Sequence, residues 1–444
     1  MSGKRSWKKL STFQIIIAGF AGVILAGTML LMLPAAAGQG QWTSLENALF
    51  TAVSAVCVTG LVVRDTASYW SWFGQAVILL LIQIGGLGVI SITVFLASLS
   101  GRRISLMGRA ILQDSISAHQ IGGIVKMTVF IFRTALFTEL LGALIMLPFF
   151  CRDYGPSGIW MAVFHSISAF CNAGFDLMGN RTGPFSSLTG YCSQAGIVIP
   201  VCLLIIIGGI GFLTWDDISV NTFHIKKYRL QSKTVLSVTA LLIVFPSILF
   251  FFHDFASFPL KERICLSLFQ AVTPRTAGFN TADLSAMTSA GRMLIIVLML
   301  IGGSPGSTAG GFKTTTAAVL SANALSIFQR RKNVRLFGRH IEDQVIKSAS
   351  TLLLMYLILT LTGGAVISMA EGLDAGICIF ETASAAGTVG LSLGITPHLG
   401  LLSHLILIFL MFFGRVGGLT LMYAAITRKG TEVSQCPVEK INVG

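Results

Sequence analysis

Two short patterns recur four times, in the same order, along this 444-residue chain. The first reads FTAVSAVCVTGL at 50–61, FHSISAFCNAGF at 164–175, FQAVTPRTAGF at 269–279 and FETASAAGTVGL at 380–391. Each copy starts with Phe, passes Ser or Thr, and ends in Gly followed by Leu or Phe. The second pattern follows each copy of the first: IGGLG at 84–88, IGGIG at 207–211, IGGSPG at 301–306 and FGRVGG at 413–418. Self-similarity of this kind marks one structural unit built several times over. A fold for this chain has to accommodate four copies of it.

The setting for those copies is apolar. Hydrophobic residues make up 54% of the chain and charged residues 11%, where a soluble domain carries about 25% charged residues. So few charges cannot cover a globular surface, which excludes a cytosolic enzyme, a disordered chain and a secreted disulfide scaffold. The eight cysteines show no CxxC pairs or His partners, so neither a zinc site nor a disulfide framework is signalled. Cys151 and Cys192 fall toward the same outer side, but spacing alone does not license a bridge between them. The basic start Met1–Leu10 leads straight into an apolar run and reads as the approach to a first spanning helix, not as a cleaved leader.

Runs long enough to span lie at about 12–34, 73–99, 123–150, 194–214, 234–252, 291–328, 348–370 and 400–426, which makes eight. Between successive pairs lie segments of intermediate polarity, 44–64, 158–178, 263–283 and 374–394, each too short to span. Lys4, Arg5, Lys8 and Lys9 precede the first run. Arg102, Arg103, Arg109 and Lys126 follow the second, and Lys226, Lys227, Arg229 and Lys233 the fourth. Arg330, Arg331, Lys332, Arg335, Arg339 and Lys347 follow the sixth, and Arg428, Lys429 and Lys440 the eighth. These are 21 of the 31 Lys and Arg residues, and with eight spans all fall on one side. The positive-inside rule then puts both termini and these loops in the cytoplasm. The net charge of +13 is thereby a topology record and not a signal for nucleic acid.

The repeated unit is therefore a helix, a short re-entrant helix, an extended Gly turn and a second helix. Non-helical backbone at membrane depth is tolerated only where it is buried or lines a watery cavity. Four such turns can form a ring. Thr388-Val389-Gly390-Leu391 resembles the Thr-Val-Gly-Tyr start of a potassium-channel filter, in which backbone carbonyls replace the ion's water shell. Val58-Thr59-Gly60, Asn172-Ala173-Gly174 and Thr276-Ala277-Gly278 are more degenerate versions. Glycine suits the last position because it reaches positive φ without steric cost, turning carbonyls inward.

With these segments the chain resembles the membrane subunit of a Ktr-type transporter, in the Trk/Ktr/HKT superfamily, over about residues 11–427. VTGL at 58–61, NAGF at 172–175, TPRTAGFN at 273–280 and GTVGL at 387–391 are similar to its four filter segments. The resemblance implies an all-α polytopic membrane protein, with four tandem helix–pore helix–filter–helix repeats arranged with pseudo-fourfold symmetry around one pore. The expected repeats are 1–100, 101–232, 233–346 and 347–444. It also implies a homodimer and a cytoplasmic ring of nucleotide-binding (RCK-type) regulatory subunits, in the plasma membrane of a prokaryote. In that family a glycine in the first filter segment accompanies K+ selectivity and a serine accompanies Na+ transport; Gly60 fits the K+ pattern. Cys57 stands where Thr or Ser is expected, and Arg64 brings positive charge near the outer mouth.

The sixth run is broken by Gly302-Gly303-Ser304-Pro305-Gly306-Ser307-Thr308-Ala309-Gly310-Gly311, whose five glycines and proline cannot stay helical. Such a loop suits a cavity beneath a filter, where it would act as a movable barrier; the family has an intramembrane gating loop here. Lys313-Thr314 after glycines mimics a phosphate-binding loop, but Phe312 breaks the G-x-x-x-x-G-K-[ST] spacing. GGLG and GGIG fail as dinucleotide fingerprints because no strand precedes them. Arg415, deep in the eighth run, is a costly charge expected to donate to carbonyls of the 302–311 loop and hold it across the pore, the alternative being a structural pairing with an acidic group elsewhere. Lys313 is expected to tune charge beside that loop or contact it. Arg133 and Glu139, in the third run, are read as packing or interface groups. Glu381 either satisfies backbone donors or attracts ions. Asp65, Asp176 and Asp283, after filter turns, either concentrate cations at the mouth or are ordinary loop residues.

The function expected is K+ uptake, channel-like, through backbone carbonyls and a Gly-rich gate. No cofactor is expected on this chain, since nucleotide would be read by a partner. A Na+-conducting or Na+-coupled relative of the same fold is the nearest rival. A secondary transporter of an organic solute is more remote, because such proteins usually show two inverted repeats. No catalytic constellation supports an enzyme.

Overall fold

The apolar runs become helices. A computed structural model of the chain describes residues 11–99, 108, 111–113, 123–222 and 224–425. Lys4, Arg5, Lys8, Lys9, Arg102, Arg103, Arg109, Arg428, Lys429 and Lys440, which carry part of the expected topology signal, lie outside the described residues. Among the described residues the helices of eight or more residues are, in chain order, α1 Thr12–Met32, α2 Leu45–Val56, α3 Trp72–Leu87, α4 Val89–Leu99, α5 Ile124–Tyr154, α6 Gly158–Phe170, α7 Ala195–Gly209, α8 Phe212–Asn221, α9 Leu230–Phe252, α10 Leu260–Val272, α11 Ser289–Leu300 and α12 Thr314–Phe328. A two-residue hairpin follows, with β1 Arg335–Leu336 antiparallel to β2 Arg339–His340. Then come α13 Asp343–Glu371, α14 Ala375–Gly387, α15 Leu401–Val416 and α16 Gly418–Ala425.

Among the described residues, the segments holding α1, α5, α9 and α13 are long and apolar enough to cross a bilayer, and the α7–α8 pair passes the same test as one bent span. The 31 residues of α5 extend roughly 46 Å at 1.5 Å per residue, beyond the hydrocarbon core. Its outer face leaves Leu136, Phe137, Leu140 and Leu144 more than half exposed, an apolar stripe that suits lipid and not water. The intermediate segments hold α2, α6, α10 and α14, of 12, 13, 13 and 13 residues. Each is too short to span.

Three expected spans are not single helices. The run 73–99 breaks at Gly88, 194–214 at Ile210-Gly211 and 400–426 at Gly417. Gly88, Gly211 and Gly417 have φ of 88°, 92° and 92°, a conformation in which the helical ladder cannot continue. At the second break α7 and α8 diverge by 96°. The break expected in the sixth run is present, as the non-helical stretch between α11 and α12. Hydropathy reads all of these as apolar and is blind to the sign of φ.

The short helices are wedged among the longer ones. α2 packs on α1 and α3, α6 on α5 and α7, α10 on α9, and α14 on α13 and α15. Further contacts join α3 to α6, α7 to α10 and α11 to α14, and α15 returns to α2, so the last long element closes on the first short one. The phenylalanines that open the four motif copies, Phe50, Phe164, Phe269 and Phe380, are fully buried in this packing.

Candidate functional site

Each short helix ends in a turn of one geometry. The first and third turn residues both take positive φ: Val58 56° and Gly60 92°, Asn172 58° and Gly174 69°, Thr276 66° and Gly278 77°, Thr388 52° and Gly390 93°. Alternation of this kind brings successive backbone groups toward one side. For the β-branched Val58, Thr276 and Thr388 this conformation costs on the order of 1–3 kcal/mol each, so the surroundings must hold it. A hydroxyl four residues after each buried Phe does so. Ser54 Oγ accepts from the Gly60 N–H at 3.1 Å and Ser384 Oγ from the Gly390 N–H at 3.0 Å. Ser168 and Thr273 donate instead to the carbonyls of Phe175 and Phe279, at 2.7 and 2.5 Å. The sequence showed the recurrence of these hydroxyls and not their role.

The turns meet in a cycle. A Cβ added to Gly60 would lie 2.4 Å from the Ala173 oxygen, and one on Gly174 2.6 Å from the Ala277 oxygen. On Gly278 it would lie 2.3 Å from the Val389 oxygen, and on Gly390 2.1 Å from the Thr59 oxygen. The glycines are therefore required twice, for φ and for the approach of the neighbouring carbonyl. The hydroxyls of Thr59 and Thr388 are buried without a hydrogen-bond partner among the described residues, which leaves oxygen lone pairs beside the carbonyls. A cavity of about 150 Å³ opens on one side of the turns, touching Gly60, Gly174, Gly278 and Gly390.

Of the three aspartates expected at that mouth, only Asp176 lines the cavity. Burial pushes its carboxyl up to about 7, against the lowering effect of the Met178 N–H, and nearby Asp65 raises it further. Asp65 is instead a loop clamp, accepting from the Ser68 N–H and hydroxyl and from the Phe185 N–H at 2.7–3.0 Å. Asp283 is exposed and caps its own loop through Ser285. Arg64 is exposed with its guanidinium over the Tyr69 ring, and it does not line the cavity.

On the opposite side the 302–311 loop lies against the turns. Thr308 Oγ1 donates to the Phe170 carbonyl at 3.1 Å and reaches Asn172 Oδ1 at 3.4 Å. A Cβ on Gly310 would meet Thr388 Oγ1 at 2.2 Å. Two cations hold the loop. Lys313 Nζ donates to the carbonyls of Ala309 and Gly310, at 2.7 and 3.0 Å. Arg415 donates to the Thr308 carbonyl through one nitrogen and to the Gly85 and Gly86 carbonyls through the other. Gly302 and Gly303 pack beside Thr276 and Ala309, and Ser304 exchanges a 3.1 Å hydrogen bond with Thr314. Ser307 donates to the Ser304 carbonyl at 2.7 Å. Gly306 and Gly311, at φ of 64° and 65°, give the bends. A second cavity, about 300 Å³, touches Gly306, Ser307, Gly311, Lys313 and Arg415 on this side.

The contact of Arg415 with α3 was not legible in the sequence. Its signal is the glycine doublet: a Cβ on Gly85 would lie 2.0 Å from the Val56 oxygen, on Gly208 2.0 Å from the Phe170 oxygen and on Gly414 2.2 Å from the Ala386 oxygen. These glycines let a long helix press on the end of a short one. Glu381 takes the donor-satisfying role, accepting from Ser392, Leu393 N–H and Thr396 at 2.6–2.9 Å. Glu139 is buried and accepts from Gln83 at 3.0 Å, while Arg133 is exposed. Cys151 and Cys192 are free thiols, and Cys57 is buried beside the first turn.

The sequence pattern of TrkH, described as a cation transport protein, matches residues 7–432. The chain belongs to the TrkH family. This is a family of membrane cation transporters and not of enzymes, and the match supports the Ktr-like resemblance. The chain is 39% identical to the potassium/sodium uptake protein NtpJ of Enterococcus hirae, covering 99% of both chains. It is 34% identical to the Ktr system potassium uptake protein B of Bacillus subtilis over 94% of each. In fold it is similar to the crystal structure of the potassium transporter TrkH from Vibrio parahaemolyticus, with a TM-score of 0.74 and 19% identity over 95% of this chain and 86% of that one.

Proposed function

We propose that this TrkH-family chain takes up K+ across the plasma membrane of a prokaryote, through a pseudo-fourfold filter of backbone carbonyls. One observation carries the reading: four turns with alternating positive φ meet in a closed cycle, with the carbonyls of Thr59, Ala173, Ala277 and Val389 against the neighbouring glycines. Carbonyl oxygens in such a ring can replace the water of an alkali cation. The 302–311 loop is the gate, and Arg415 and Lys313 are its latches. The four repeats are 1–100, 101–232, 233–346 and 347–444, eight spans in all, with both termini in the cytoplasm. A homodimer and a nucleotide-binding ring partner complete the system; the Ktr names of relatives support a partnered assembly.

Na+ is the second reading, favoured by the potassium/sodium name of the Enterococcus relative. Purified protein in liposomes should take up rubidium down its gradient, and excess K+ should suppress that flux more than excess Na+. Equal suppression by both ions would favour the Na+ reading, and a lack of any cation flux would defeat both.

A further inference from the structure

A cavity of about 560 Å³ lies away from the turns, between α9 and α12, within the size range of small-molecule sites. Its wall is mostly apolar, with Leu241 and Leu242 of α9 and Ala318, Ala322 and Leu325 of α12, beside the small hydroxyls of Ser237 and Ser321. The slot exists because α12 presents small side chains at 318 and 322, one turn apart. Leu241 and Leu325 are 64% and 56% exposed, so the slot opens sideways toward the bilayer. Its other end is polar, with Ser326 and Gln329 leading to Arg331 and Arg335. Neither guanidinium has a hydrogen-bond or ion-pair partner among the described residues.

Both arginines are exposed and hydrated, so an uncharged solute would gain nothing from them, whereas a free anion would leave the apolar slot unfilled. An amphiphile with an anionic head satisfies both ends. We propose that this crevice binds an anionic diacyl phospholipid, with one acyl chain between α9 and α12 and the phosphate between Arg331 and Arg335. Guanidinium pairs phosphate oxygens in a planar fork, and cytoplasmic basic clusters attract anionic headgroups. Ile301 also lines the crevice. It immediately precedes the 302–311 loop, and α12 begins just after it. The lipid therefore touches Ile301 just before that loop and the helix that follows it, Ala317 onward, and through them biases its position; this last step rests on the gating role proposed above.

Lipid retention is measured on the full-length protein in phosphatidylcholine nanodiscs doped with phosphatidylglycerol, by native mass spectrometry. The wild type should retain phosphatidylglycerol in preference to phosphatidylcholine. The double variant Arg331→Ala, Arg335→Ala should retain at least about tenfold less, given the several-fold contribution of each basic side chain near an anionic surface. Ser321→Phe, which fills the slot and spares both arginines, should lose retention as well. Millimolar inorganic phosphate should not displace the lipid. Equal retention by wild type and both variants, or displacement by phosphate alone, overturns the proposal. So does cross-linking that shows a second copy of this chain seated on the α12 face. In vesicles, added phosphatidylglycerol should raise rubidium uptake by the wild type and not by the variants, whose uptake without it stays at the wild-type level. Uptake absent from every protein counts against the transport reading, while retention still decides the lipid site.

Discussion

At the residue scale, glycine and hydroxyl carry the site. Gly60 sits at φ 92° with the Ala173 oxygen where a Cβ would go. Gly60→Ser adds about 1–2 kcal/mol of backbone cost and pushes a neighbouring carbonyl out of the ring. It should lower rubidium uptake and weaken K+-over-Na+ preference in ion-competition flux; an unchanged preference removes this glycine from the selective path. Asp176 should make the mouth sensitive to pH. Its carboxyl is held up to about 7 by burial, so it is neutral below that pH and negative above it. Uptake at subsaturating rubidium should therefore rise as pH increases through about 7 and fall as pH drops below it. Asp176→Asn, which keeps an acceptor for the Met178 N–H, should flatten that step. Cys57 shows the limit of reading single residues: its side chain is buried, and the backbone of the next three residues forms the turn.

At the element scale, the broken helices matter more than the intact ones. Glycine at 88, 211 and 417 ends a helix within an apolar run, and the further break in the sixth run is a ten-residue loop, 302–311, pressed on the turns. Arg415 links two breaks, since it donates to Thr308 in the loop and to Gly85 and Gly86 at the end of α3. A hydrogen bond to a charged group contributes about 1.5–3 kcal/mol, so the loss of one is worth roughly tenfold in a two-state equilibrium. Arg415→Ala should raise resting rubidium leak by about that factor or more. If the variant folds and resting flux does not change, the latch is refuted. The recurrence of glycine doublets was plain in the sequence. Their function was not, because a close approach of Gly85 to the Val56 carbonyl joins residues from two helices whose packing the sequence does not print.

At the scale of the whole molecule, eight spans require that α3–α4, α11–α12 and α15–α16 each cross as a broken pair, beside the bent α7–α8 pair. On that topology the 329–340 segment is cytoplasmic and the 179–194 segment is external. In a cysteine-free background, Gln329→Cys should react with an impermeant maleimide only after cell lysis, and Thr182→Cys in intact cells. Reaction of both residues in intact cells would reverse or break the proposed topology. The sequence by itself determined that this is an apolar, helical membrane chain with four related turns, because composition and local periodicity are properties of neighbouring residues. It also located the loop breaker at 302–311 and the two cations that hold it. Only the tertiary structure decided which glycine faces which carbonyl, that Asp65 clamps a loop while Asp176 lines the mouth, and that Arg415 bridges to α3. Those outcomes depend on contacts such as that of Arg415 with Gly85, 330 positions apart, and the order in which packed helices meet in space is not a local property of the chain.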